Sequence, residues 1–152
     1  MKLAEALQER ADLVRKINEL DVRIRQNVLV QQGEAPGEDP SALLEELKSA
    51  TARLENLIKQ INYSNCKHHV GNRSLTDIIA RKDTLKMQHN AYRDALSAAT
   101  QSTSRARGTE IKILTVVDIK ALRKESDEIA REIRALDNAL QQANWTFDLI
   151  ED

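Results

Sequence analysis

Apolar residues recur along this chain in steps of three and four, over four long stretches. The first runs from about Lys2 to Gln32 through Leu3, Leu7, Arg10, Val14, Ile17, Asp21, Ile24 and Val28. That spacing is a heptad seam with two polar interruptions, and it predicts an amphipathic helix. Leu13 and Leu20 widen the stripe, so the helix should meet more than one neighbour. At about 1.5 Å per residue it makes a rod of roughly 45 Å. Gly33 suits a left-handed cap, and Pro36-Gly37 blocks continuation. Asp39 can cap the next helix, with Pro40 at the first helical position. That helix should span 40–65 on a seam of Leu44, Leu47, Thr51, Leu54, Ile58, Ile61 and Asn65. The short loop implies an antiparallel pair.

The second half reads the same way. Residues 66–73 form a connector, and Ser74 with Asp77 resembles a capping box. A third helix follows over 74–100, on Leu75, Ile78, Lys82, Leu85, His89, Tyr92, Leu96 and Ala99. Residues 101–110 lack apolar periodicity and read as a polar loop. The β-branched run between Ile111 and Val117 predicts a short extended segment or strand that needs a partner, from this chain or from another subunit. Asp118 can cap a fourth helix over 118–144, on Ile119, Leu122, Ser126, Ile129, Ile133, Leu136, Leu140 and Ala143. Trp145 and Phe147 should pin the tail to the bundle. The fold class is all-α: long antiparallel helical hairpins in a coiled-coil-like bundle, with one short extended segment near 111–117, over a single domain 1–152.

Composition narrows the classes. With 152 residues the chain can bury one real core but two full domains would be cramped. Only 3% of residues are aromatic, so the core must be aliphatic, and wide stripes with few aromatics point to a homo-oligomer. Net charge is −1, which argues against a generally basic binder of long nucleic acid. A single cysteine, Cys66, excludes an intrachain disulfide framework. No apolar run approaches the ~18 residues of a membrane span, and Met1-Lys2-Leu3-Ala4-Glu5 begins a charged helix instead of a signal peptide. The expectation is a cytoplasmic protein off the membrane.

Chemistry is sparse. Cys66, His68 and His69 lack the second Cys/His pair of a tetrahedral site, so they read as solvated loop residues and no metal is expected. The phosphate-loop, dinucleotide, zinc-protease and hydrolase signatures are all missing. No nucleophile or acid–base pair stands out, so the expectation is a protein that is not an enzyme and carries no cofactor. Lys82, His89, Arg10 and Asp21 sit on inferred seams, where a polar residue sets register or faces a cavity.

The richest stretch is Ser102 to Lys112. It combines hydroxyls, including Thr109, with Arg105, Arg107 and Lys112, and Gly108 allows close approach. Guanidinium forks, hydroxyls and free N–H groups are what a phosphate or carboxylate requires. The same residues also read as a solvated basic loop. Asn72, Arg73 and Ser74 offer a second set at a helix start.

The polar blocks carry a resemblance. Met1-Lys2-Leu3-Ala4-Glu5-Ala6-Leu7, Glu38-Asp39-Pro40, Ile61-Asn62 with Asn65, Leu75-Thr76-Asp77 with Arg81, Glu110-Ile111-Lys112 and Asn144-Trp145-Thr146 span nearly the whole chain. In them the chain resembles the small, mostly helical bacterial and phage-associated proteins labelled septicolysin. The label implies a pore-forming cytolysin. The shared positions Asn62, Asn65, Thr76, Asp77, Arg81, Glu110 and Lys112 lie at helix ends and near 101–118. With Arg73, Arg105, Arg107 and Thr109, they are the candidate contacts for a small anionic ligand such as a nucleotide. The leading expectation is therefore a non-enzymatic, oligomeric protein that sequesters or senses such a ligand, and that would blunt a host defence signal if phage-encoded. A partner-binding coiled-coil scaffold is the alternative, and the cytolysin is the third reading.

Overall fold

The computed structural model describes residues 1–105 and 111–151, with residues 102–105 as backbone alone. The order is α1 (Leu3–Asn27), α2 (Pro40–Lys67), β1 (His69–Val70), β2 (Arg73–Ser74), α3 (Leu75–Arg105) and α4 (Ile119–Thr146). The four helices form two antiparallel hairpins. Ion pairs show the direction of the first: Glu9 meets Arg53, Lys16 meets Glu46 and Arg23 meets Glu38, one number rising as the other falls. In the second, Arg81 meets Glu132, Lys82 meets Asp137 and Tyr92 donates to Glu125. The two short strands pair around a turn in which Gly71 takes φ +60.

Several element ends differ from expectation. α1 stops at Asn27, not near Gln32. The Asn27 amide donates to the Arg23 carbonyl at 2.7 Å, while its oxygen accepts from the Glu38 N–H at 3.0 Å. Arg23 also pairs with the Glu38 carboxylate. The loop is thus tied across the helix end, and Val28, Leu29 and Val30 are left exposed. α3 runs on to Arg105, so residues 101–105 are helical and not loop. Gln101-Ser102-Thr103-Ser104-Arg105 contains neither Gly nor Pro, so nothing in it terminates the helix. Residues 111–117 form no helix and no strand among the described residues.

Contacts divide the chain into two compact units, residues 1–69 with 143–152, and residues 70–142. The first unit is held by Leu20, Leu43 and Ala50, with Leu13, Ile17, Ile24 and Leu47 packed against them. Its seams are turned by one position from the ones expected. On α2 the inward positions are Leu43, Leu47, Ala50, Leu54, Leu57, Ile61 and Ser64, while Leu44 and Ile58 are exposed. On α1, Leu13 and Leu20 belong to the core, whereas Val14 and Asp21 face solvent and Asp21 pairs with Arg25. Both registers step by three and four. The real one places small Ala50 and Ser64 inward, where the expected one placed Thr51 and Asn65.

The same unit closes on its own ends. Leu3 N–H donates to the Phe147 carbonyl and Leu149 N–H to the Met1 carbonyl, at 3.0 and 2.8 Å. Ile150 N–H donates to the buried Ser64 hydroxyl at 2.8 Å. Phe147 stacks on the His68 ring, with centroids 4.5 Å apart. Phe147 thus anchors the tail as expected, but Trp145 does not, being 65% exposed.

In the second unit the expected seams hold. Leu75, Ile78 and Leu85 on α3 are buried, as are Ser126 and Leu140 on α4. The cap of α3 is reciprocal: Ser74 N–H donates to the Asp77 carboxylate and Asp77 N–H to the Ser74 hydroxyl, both at 3.1 Å. The Asp118 carboxylate caps α4, accepting from Ala121 N–H at 3.1 Å.

Candidate functional site

The residues singled out from sequence are dispersed in role. In the first unit Asn62 is exposed and Asn65 half-buried on the last turns of α2. In the second unit Arg73 and Thr76 are exposed, and Asp77 is engaged in the α3 cap. Arg81 makes a two-pronged pair with Glu132 at 3.1 and 3.3 Å. Arg105 is the last residue of α3, and Lys112 is exposed in the connector before α4. Arg107, Thr109 and Glu110 lie outside the described residues.

The Cys66–His69 stretch is engaged in local structure. His68 Nε2 lies 2.8 Å from the Asp148 carbonyl, and His69 Nδ1 lies 2.9 Å from the Lys67 carbonyl. No metal-competent group of three His, Cys, Asp or Glu side chains occurs among the described residues.

A hollow of about 650 Å³ lies along the start of α4, lined by Asp118, Lys120, Ala121, Arg123, Lys124, Asp127, Glu128 and Arg131. All eight lining residues are exposed and lie on α4 or at its cap, so it is a hollow open to solvent. The helix builds it by phase. Lys120, Lys124, Asp127 and Arg131 step by four, three and four, so they share the face opposite the apolar seam. Ala121 leaves room between them because it has no side chain beyond Cβ.

This face groups four cations, whereas in the first unit most cations stand in ion pairs. Lys2, Arg15, Lys16, Arg23, Arg25, Lys48, Arg53 and Lys59 all stand in ion pairs within the first unit. In the second unit α4 gives Glu132 and Asp137 to cations of α3, and the Lys82 ammonium holds the Asp137 carboxyl below its usual range. Lys120, Arg123, Lys124 and Arg131 form no ion pair among the described residues, although Asp127 and Glu128 share the hollow. None of the residues picked from sequence lines it. The signal that would have found it is the polar stripe on the outward face of α4, which a search for apolar seams passes over.

A smaller hollow, about 350 Å³, lies in the first unit between Ala4, Glu5, Gln8, Glu9, Asp12 and the exposed Trp145. Its carboxylates already have partners. Glu5 accepts from the Lys2 N–H, Glu9 binds Arg53 and Asp12 binds Arg15. No described helix is long and apolar enough to cross a membrane.

Residues 10–149 match the sequence model of the Family of unknown function (DUF6847), and the chain belongs to that family. A solved structure is similar over nearly the full length: the crystal structure of a functionally unknown conserved protein from Corynebacterium diphtheriae. The two are 32% identical, 99% of each chain is covered and the TM-score is 0.92. No curated protein matches the chain.

Proposed function

We propose that this member of the family is a non-enzymatic, homo-oligomeric binding protein for a small anionic ligand, with a nucleotide as the leading candidate and the α4 hollow as the seat. The observation that carries this reading is the grouping of Lys120, Arg123, Lys124 and Arg131 along one exposed face of α4, with none of the four in an ion pair among the described residues. Lys120 and Lys124 are a like-charge pair at i,i+4, which costs a helix a few tenths of a kcal/mol on its own. A phosphate or carboxylate between them removes that repulsion, and the Arg123 guanidinium can meet it with two parallel bonds. The exposed apolar segment 111–117 supports the oligomer.

The experiment is a thermal-shift screen of mono-, di- and trinucleotides, with native mass spectrometry of the protein as purified. A ligand at ~100 times its Kd adds about 2.7 kcal/mol. Arg123→Glu with Lys124→Glu should abolish the shift while helicity stays intact. A shift unchanged in that variant, but lost in Arg105→Ala with Arg107→Ala, moves the seat to the residues before α4. No shift and no retained mass in any assay overturns the reading. The resemblance to septicolysin-labelled proteins supplies the competing reading of a pore former, for which dye release from liposomes is the test.

A further inference from the structure

We infer that the ligand of the α4 hollow is an anion that also presents hydrogen-bond donors, hydroxyl or amino groups about one helical turn from its charge, and not a bare polyanion. This inference rests on the binding reading above and adds the ligand's chemical class.

Charges of both signs follow one another along the hollow. Lys120, Arg123 and Lys124 occupy its upper end, Asp127 and Glu128 its middle, and Arg131 its lower end. From Arg123 to Asp127, and from Lys124 to Glu128, the helix rises about 6 Å. Both spacings are those of an i,i+4 pair. Neither pair closes to an ion pair among the described residues, so both signs stay open to the hollow. An ionised carboxylate only accepts hydrogen bonds. Asp127 and Glu128 therefore repel any phosphate oxygen placed against them, and they welcome a hydroxyl or amine.

A polyphosphate long enough to reach Arg131 from Arg123 must lay its charge across the carboxylates. A phosphate ester of a sugar need not. Its phosphate takes the upper cations and its hydroxyls reach the acids one turn below. Arg131 then neutralises the acids from the far side instead of binding the same phosphate. The hollow thus selects by attraction at one end and by repulsion in the middle.

The test is isothermal titration of the full chain with three probes: adenosine monophosphate, ribose 5-phosphate and tripolyphosphate. The expected result is that at least one of the two sugar phosphates binds about tenfold more tightly than tripolyphosphate, the effect of one hydrogen bond to a charged group. Asp127→Asn with Glu128→Gln should close that gap, chiefly by strengthening tripolyphosphate. Arg123→Ala with Lys124→Ala should abolish binding of all three. All of these positions are exposed, and circular dichroism checks that the helices persist. Failure of every probe to bind the parent protein overturns the binding reading and this inference with it. Tripolyphosphate binding as well as or better than both sugar phosphates overturns the inference alone. So does a gap that survives in the amide variant.

Discussion

Ser64 is fully buried on the inner face of α2, and its hydroxyl accepts the backbone N–H of Ile150. It thereby ties the C-terminal tail to a helix far away in sequence. Ser64→Ala keeps the size and removes the acceptor, so it should cost about 1 kcal/mol. Urea denaturation of the pair of proteins measures that loss, and an unchanged midpoint would mean that the tail is held by its other contacts. Asp148 works at the same place through charge. Its carboxylate lies 2.9 Å from Lys2 Nζ, and that hydrogen bond with the ammonium charge holds it below the ordinary carboxylate range. A carboxyl depressed on folding stabilises the fold above its unfolded value, about 3.9 for Asp, and loses that effect as pH falls through the folded value. The melting temperature of the parent should therefore exceed that of Asp148→Asn at about pH 6. The difference should shrink to nothing as pH drops well below about 4. A constant difference across that range would assign the effect of the substitution to something other than the ionised pair.

Helix boundaries and faces show where a single chain is legible and where it is not. The caps were legible because they rest on neighbours in sequence: Asp39 with Ser41, Ser74 with Asp77, and Asp118 with Ala121. The seams of α3 and α4 were legible because one register alone is apolar. On α2 two registers compete, since Leu43-Leu44 and Leu57-Ile58 are apolar doublets. Periodicity cannot choose between them; packing chooses, by where Ala50 and Ser64 let another element approach. The distinction has a direct measure. Leu43→Ala should destabilise by about 2–5 kcal/mol, as a buried leucine does, while Leu44→Ala should cost well under about 1. Equal costs would contradict the register. The early end of α1 was hidden for a related reason. It depends on Asn27, Arg23 and Glu38 meeting across a loop, a tertiary event that no local spacing announces.

At the scale of the whole molecule, a net charge of −1 hides an uneven distribution. Most charges of α1 and α2 stand in pairs, while α4 gives Glu125, Glu132 and Asp137 to α3 and groups Lys120, Arg123, Lys124 and Arg131 outward beside Asp127 and Glu128. The candidate site was therefore illegible from composition, and equally so from the hydroxyl- and arginine-rich stretch near 102–112, because it rests on which charges share one exposed helix face without forming ion pairs. The chain also leaves apolar side chains open to solvent. Ile113, Leu114 and Val116 are 46%, 75% and 99% exposed, in a segment that joins no helix or strand among the described residues. A soluble monomer gains nothing from showing so many β-branched side chains in a row. Two copies related by a two-fold axis through Leu114 would pair the segment with itself, antiparallel, and satisfy its backbone in a ladder. Light scattering on the purified protein should then give a multiple of 17.2 kDa. Leu114→Lys with Val116→Lys should reduce it to a single chain, since position 114 then faces its own copy and position 116 faces Lys112 of the other copy, and like charges opposite each other repel. The position of the proposed anion site on α4, just after this segment in the chain, makes the same variant informative about coupling. If assembly orders the connector beside the hollow, the lysine variant loses ligand affinity together with its partner. A monomeric variant that binds as the parent does would leave the hollow complete within one chain.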